Sequence, residues 1–261
     1  MSAHSRYMID DLLFTAREQD GIIVLNMKDN LLQKTTDLSA KEVLFDYLRD
    51  VSEDPEINVI VIIGAPHKTG RDEYLRFYQD VLNAKINPEN LERLYNAVNQ
   101  FIKRMACINK MVVHADSGNV ISLFMNISLA CDYRIIGDNT KFQNCYHEIG
   151  LMPKGGGAFF LSRIAGYGKA AEIMLRRDDI SAEQALAYGI VNKVVPVNRL
   201  EEEALAVALE MSTIPQQTLS GVKKLLNYSI NELDQCLELE NQELRKIIRS
   251  SQFQNHAALQ A

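Results

Sequence analysis

The apolar positions of this chain alternate between strand-like runs and stretches of helical period. Leu12-Leu13-Phe14 and Ile22 to Met27 flank Gln19-Asp20-Gly21, and Asp-Gly between two such runs predicts a β-hairpin. Val59 to Ile63 is a continuous β-branched run, which predicts a strand buried on both faces of a parallel sheet. Met111-Val112-Val113 and Tyr133 to Ile136 read as further strands. Between them Val43, Leu44, Tyr47, Leu48 and Val51 form one helical stripe, capped by Ser39 and ended by Asp54-Pro55. Residues 71–83 and 88–106 read as two helices separated by Asn87-Pro88, the second with Leu91, Leu94, Tyr95, Val98, Phe101, Ile102 and Met105 on one face. After a Ser117-Gly118-Asn119 turn, Leu123, Phe124, Ile127, Ala130 and Cys131 fall at helical spacing from Val120 onward. Strand, turn, buried helix and strand make an α/β layer. The helix start near Ser122-Leu123 then offers free N–H groups and a positive dipole end to a developing oxyanion above the strand ends.

Further along, Ala165-Gly166-Tyr167-Gly168 separates two helices, and Ser181-Ala182-Glu183-Gln184 is a capping box. Gly189 closes that helix before an Ile190 to Val195 strand ended by Pro196. Segments 199–212, 216–228 and about 230–249 are helical by pattern. Residues 1–10 read as a loose tail, and no internal repeat or low-complexity segment is present.

Composition narrows the possible roles. At 261 residues with 47% hydrophobic content the chain can bury a sizeable core. A net charge of −6, from 28 basic and 34 acidic residues, argues against a nucleic-acid partner, which needs a basic face. Cys107, Cys131, Cys145 and Cys236 show no Cys-x-x-Cys spacing and read as reduced thiols, with no metal site implied. No signal-peptide pattern or membrane-length apolar run appears, so a cytoplasmic protein without a membrane partner is expected.

The runs SLACDYRII, KFQNCYHEIGLMPKGGGAFFLSRIAGYGKAAEIML and ISAEQALAYGIVNKVVP resemble, in that order, the crotonase (enoyl-CoA hydratase/isomerase) superfamily. The resemblance implies an α/β fold, a crotonase-like spiral of ββα units over residues 1–196, with a C-terminal helical trimerisation region at 197–261. It also implies a homotrimer or hexamer acting on an acyl-CoA, with coenzyme A entering only as part of the substrate. Family chains commonly end in a motif that helps hold the CoA adenine. Gln252 to Ala261 lacks it, which leaves an acyl-carrier thioester as an alternative partner.

Hydrating an enoyl thioester requires a stabilised enolate oxygen and a carboxylate pair that positions and deprotonates water. By the family pattern, the oxyanion-hole N–H groups fall on Thr69 and Leu123, with Thr69-Gly70-Arg71-Asp72 matched to the family's Ala-Gly-x-Asp. The alternative for that segment is an ordinary loop with Asp72 capping a helix. The two catalytic glutamates fall on Asn126 and Tyr146, so both carboxylates are absent. Asn126 holds a water or carbonyl but is no base, and Tyr146 is a donor before it is an acceptor. In a strand-like reading of 146–148, His147 points opposite Tyr146 and Glu148 shares its side. Both join the candidate catalytic set, with structural roles as the alternative. His114 and Asp116 share one face of their strand and suit a buried pair. Asp132 reads as structural, Lys154 as a solvated turn residue, and the glycines 155–157 as a tight turn rather than a phosphate cradle. The expected function is an acyl-thioester enzyme working through an enolate by isomerase, decarboxylase or lyase chemistry. The alternative is a non-catalytic thioester-binding or assembly protein of the same fold.

Overall fold

The computed structural model describes residues 6–35, 37–83 and 88–250. Asn87 of the expected helix break and the terminal stretch Gln252–Ala261 lie outside the described residues. The chain opens with an antiparallel meander, β1 (Ile9–Asp10), β2 (Phe14–Gln19) and β3 (Ile22–Met27). Asp20 and Gly21 turn between β2 and β3 at φ of 53° and 74°, the left-handed pair that a two-residue hairpin needs to match strand twist. The tail is not loose from Arg6 onward. Tyr7 is buried, donates its hydroxyl to Asp54 at 2.6 Å and meets the Tyr47 ring edge-on, while Ile9 and Asp10 pair with β2.

There follow α1 (Leu31–Lys34), α2 (Leu38–Glu53), β4 (Val59–Ile63), α3 (Arg71–Leu82), α4 (Pro88–Cys107), β5 (Met111–Asp116), β6 (Asn119–Ile121) and α5 (Ser122–Ser128). Then come β7 (Tyr133–Gly137), β8 (Lys141–Gln143), a 3-10 turn (Cys145–Ile149), α6 (Gly157–Ile164), α7 (Tyr167–Leu175), β9 (Ile180–Ser181), α8 (Ala182–Ala187) and β10 (Lys193–Val195). Helices α9 (Leu200–Ser212), α10 (Gln216–Leu226) and α11 (Ile230–Ile248) complete the described chain. The cap of α2 is Asp37 rather than Ser39: its carboxylate takes the Ser39 N–H at 2.9 Å and hydroxyl at 2.7 Å. Helix α5 starts at Ser122, as expected, and Val120, which shares its helical spacing, instead lies with Ile121 in β6, where they pair with Phe142 and Gln143 across a small β6-β8-β9 sheet. The strand expected from Ile190 shortens to β10, since the N–H groups of Ile190 and Val191 both return to the Ala185 carbonyl.

The main sheet runs β1-β2-β3-β4-β5-β7-β10, parallel from β3 onward. Alternate residues of its apolar strands face two cores. Ile23, Leu25, Ile60, Ile62 and Val112 face the larger one with α2 and α4. Ile22, Val24, Val59, Val61, Val113 and Ile135 face α9, whose Ala204 and Ala208 are fully buried. Small side chains there let the helix lie close on the pleat, so the C-terminal region shares a core with the sheet. A third cluster joins α3, α4 and the 3-10 turn through Tyr74, Phe77, Tyr78, Leu94, Tyr95 and Tyr146.

Candidate active site

The carboxyl ends of β3, β4 and β5 open onto a cavity of about 140 Å³, where ligands of parallel sheets usually bind. Met27, Ala65 and His114 border it from the strand ends, and Leu44 and Phe45 of α2 from one side. Leu94, Ala97, Val98 and Phe101 of α4 and Leu123, Phe124 and Ile127 of α5 complete apolar walls. The α4 stripe legible in the sequence therefore supplies both core and cavity wall.

Set into this apolar space are Lys68, Glu73, His114 and Asp116. Asp116 and His114 share the inward face of β5, as strand alternation requires. Lys68 reaches from the β4–α3 loop to ion-pair with Asp116 and to donate to the Ser117 carbonyl at 3.1 Å, its side chain only 8% exposed. Asp116 also accepts the Ser117 N–H at 2.8 Å. Gly64 makes room for this pair: a β-carbon there would stand 2.2 Å from Asp116 Oδ1. Burial pulls the His114 imidazole down to about 4, with Asp116 opposing and Lys68 and Arg134 adding to the effect. The ring is neutral near pH 7. Glu73, in the first turn of α3, has its Oε1 buried without a hydrogen-bond partner among the described residues. Burial raises its carboxyl above the ordinary glutamate value. The sequence reading missed Lys68 and Glu73. Their only signal was a polar segment following a buried strand, and which of its residues turn inward is decided by the loop path.

Of the residues marked from sequence, Leu123 lines the cavity. It is the second residue of α5, so its N–H has no acceptor inside the helix. Thr69 is exposed and its carbonyl takes the Asp72 N–H at 3.3 Å; from this loop Ala65 and Lys68 reach the cavity instead. The Gly70 placement is demanded by geometry. Its φ is 57°, and a β-carbon would stand 2.2 Å from Gln143 Oε1, which takes the Arg71 N–H. Gly70, not Asp72, holds the cap position of α3.

Asn126 is buried under the glycine turn, outside the cavity lining, and donates to the Lys154 carbonyl at 2.9 Å. Tyr146 is likewise buried away from the lining, donating to the Met174 carbonyl at 2.9 Å, and burial raises its phenol. The strand parity expected for 146–148 does not hold. In the 3-10 turn both Tyr146 and His147 reach the Met174 carbonyl, with ring centroids 4.3 Å apart. Glu148 pairs with Arg71 at 2.6 Å, and Arg71 also meets Asp179 at 3.1 Å. These four candidates are tied into the scaffold beside the cavity, and the carboxylates that do enter it come from α3 and β5. Asp132 is structural, as read: it takes the Val112 N–H at 2.8 Å and pairs with buried Lys223 at 2.7 Å. Lys154 is not solvated but 6% exposed, and the N–H groups of Gly155 and Gly156 cradle the Glu240 carboxylate.

The family model described as enoyl-CoA hydratase/isomerase matches residues 17–261. The chain belongs to the enoyl-CoA hydratase/isomerase family. It is 28% identical over 240 residues to a 1,2-epoxyphenylacetyl-CoA isomerase of Escherichia coli (strain K12), covering 88% of this chain and 87% of the relative. It is 34% identical over 138 residues, 53% of this chain and 52% of the relative, to a trans-2-decenoyl-[acyl-carrier-protein] isomerase of Streptococcus mutans. A crystal structure of an enoyl-CoA hydratase from Bacillus halodurans superposes with a TM-score of 0.82 at 20% identity, covering 95% of this chain and 99% of that one. The fold is therefore the crotonase fold. Among the described residues of this family member no cluster of three or more His, Cys, Asp or Glu side chains could hold a metal, and no helix is long and apolar enough to cross a membrane.

Proposed function

We propose that this protein is an acyl-thioester isomerase that stabilises a thioester enolate through backbone N–H groups, the Leu123 N–H among them, without two-glutamate hydration. The observation that carries this reading is the position of Leu123, whose N–H opens a helix beside an apolar cavity containing a carboxyl group. The walls suit a hydrocarbon chain, whose burial contributes about 0.8 kcal/mol per methylene. Positions 126 and 146, where family hydratases carry their glutamates, hold side chains bonded to backbone carbonyls. Water activation by a carboxylate pair is then not available from those two places. Isomerisation is favoured over decarboxylation because the charge of Lys68 is already matched by Asp116, leaving it a poor partner for a substrate carboxylate. Two of the relatives above are isomerases by name, one for a CoA and one for an acyl-carrier thioester, and both carriers belong to the reading.

The reading includes a cytoplasmic homotrimer or hexamer. Leu225, Leu226 and Tyr228, at and just beyond the end of α10, are 75%, 74% and 85% exposed, which supports a subunit contact there. The test is to incubate the protein with trans-3-hexenoyl-CoA and with crotonyl-CoA. Migration of the double bond in the first and no hydration of the second is the expected result. Efficient hydration of crotonyl-CoA would rule the reading out. Binding without turnover of any acyl thioester would favour the non-catalytic alternative.

A further inference from the structure

Two carboxyl groups line the cavity, Glu73 and Asp116, and they differ in what they are already doing. Asp116 is held by the Lys68 ammonium and the Ser117 N–H. Glu73 has one oxygen buried at the cavity with no partner among the described residues. A first-turn acid of a helix normally faces water, as exposed Asp72 does. Glu73 is turned inward because Tyr74, Phe77 and Tyr78 anchor the buried face of α3 beside it, and because the left-handed Gly70 sets the angle at which the helix leaves the loop.

We propose that Glu73 is the proton carrier of this site, moving a proton between two carbons of an unsaturated acyl thioester. This rests on the thioester reading above and names a residue on an element different from both family glutamate positions. In the forward step the Cα–H bond of a 3-enoyl thioester breaks and the Glu73 carboxylate takes the proton. The electron pair delocalises to the thioester oxygen as a dienolate facing the Leu123 N–H. In the return step Glu73 gives the same proton to Cγ, and the double bond closes between Cα and Cβ. Nothing is oxidised or reduced, and no water or co-reactant is consumed.

The surroundings suit that task. Burial raises the Glu73 carboxyl and nearby Asp29 adds to this, while the Leu32 N–H, Arg76 and Lys68 oppose it. A carboxyl moved toward the working pH both accepts and returns a proton readily. His114 is the competing base, but burial leaves its imidazole a poor holder of a proton near neutrality.

The test compares wild type, Glu73→Gln, Glu73→Ala and Glu73→Asp in trans-3-hexenoyl-CoA isomerisation in D2O, with hexanoyl-CoA affinity followed by thermal shift. Glu73→Gln should lose turnover by about a hundredfold or more and keep its affinity for hexanoyl-CoA. Isomerisation by Glu73→Gln within about tenfold of wild type would overturn the proposal and leave the thioester reading standing. Should Glu73→Gln fail to fold, Glu73→Ala decides: turnover well below wild type with unchanged affinity, partly kept in Glu73→Asp, supports the proposal, and wild-type turnover by Glu73→Ala overturns it. A wild-type protein that binds hexanoyl-CoA without isomerising overturns the proton-carrier role and the isomerase chemistry, and leaves thioester binding standing. One that does neither overturns the thioester reading and the proposal together.

Discussion

Lys154 Nζ lies 3.2 Å from Glu240 Oε2, and the two side chains are only 6% and 5% exposed. The same carboxylate takes the N–H groups of Gly155 and Gly156 at 3.0 Å each, and Lys154 also donates to Asn99. One buried charge pair thus ties the glycine turn to α4 and α11 and locks the layer that carries Asn126.

Removing one partner of this pair should be far more costly than losing a surface ion pair. Glu240→Ala leaves a buried ammonium and two buried N–H groups unmatched, and is expected to destabilise by about 3–5 kcal/mol. Urea denaturation measures it. A loss below about 1 kcal/mol would mean that the turn is held chiefly by packing.

His114 gives the cavity a pH signature. Its imidazole sits near 4 in the folded protein, against an ordinary value near 6.5. The unfolded chain therefore takes up a proton that the folded one refuses. The stabilising contribution is complete above about pH 6.5 and is lost as pH falls toward 4, amounting to about 3 kcal/mol in all. Across that range the stability of wild type should fall more steeply than that of His114→Gln. Parallel curves for the two proteins would show that His114 binds its proton equally well in both states.

Ala97 lines the apolar wall and is 9% exposed. In a series of saturated acyl-CoAs, affinity should rise about fourfold per added methylene until the cavity is full. Ala97→Phe should truncate that rise, leaving short-chain binding intact and long-chain binding weakened. Isothermal titration across chain lengths is the check, and an unchanged series would place the acyl chain elsewhere.

Gly157 and Asn126 are packed so closely that a β-carbon at 157 would stand 2.6 Å from Asn126 Nδ2. Gly157→Ala should cost about 1–3 kcal/mol by overpacking. Adding Asn126→Ala, which removes the clashing amide, should recover a large part of that loss. Additive losses in the double variant, read from denaturation midpoints, would show that the strain is borne by the backbone instead.

Much of the fold was legible because its signals are local. The Asp20-Gly21 hairpin, the Val59–Ile63 strand, the Ser181–Gln184 capping box and the three C-terminal helices each follow from residues within one turn or one strand. Misreadings arose where a distant partner overrode the local pattern. Val120 has helical spacing with the α5 stripe but pairs with β8. Tyr146 to Glu148 read as extended but close into a 3-10 turn. Lys154 reads as a turn residue until α11 brings Glu240 against it.

The sequence by itself determined the family, the parallel sheet and the helix start at Ser122-Leu123, since each is a matter of residue identity at a fixed spacing. Only the tertiary structure decided which polar groups enter the cavity. Asn126 and Tyr146 are candidates by the family pattern, yet their side chains bond backbone carbonyls of other elements, while Lys68 and Glu73 are brought to the strand ends by the path of one loop. A side chain's chemistry is written in its identity, but its direction depends on packing against residues far away in the chain.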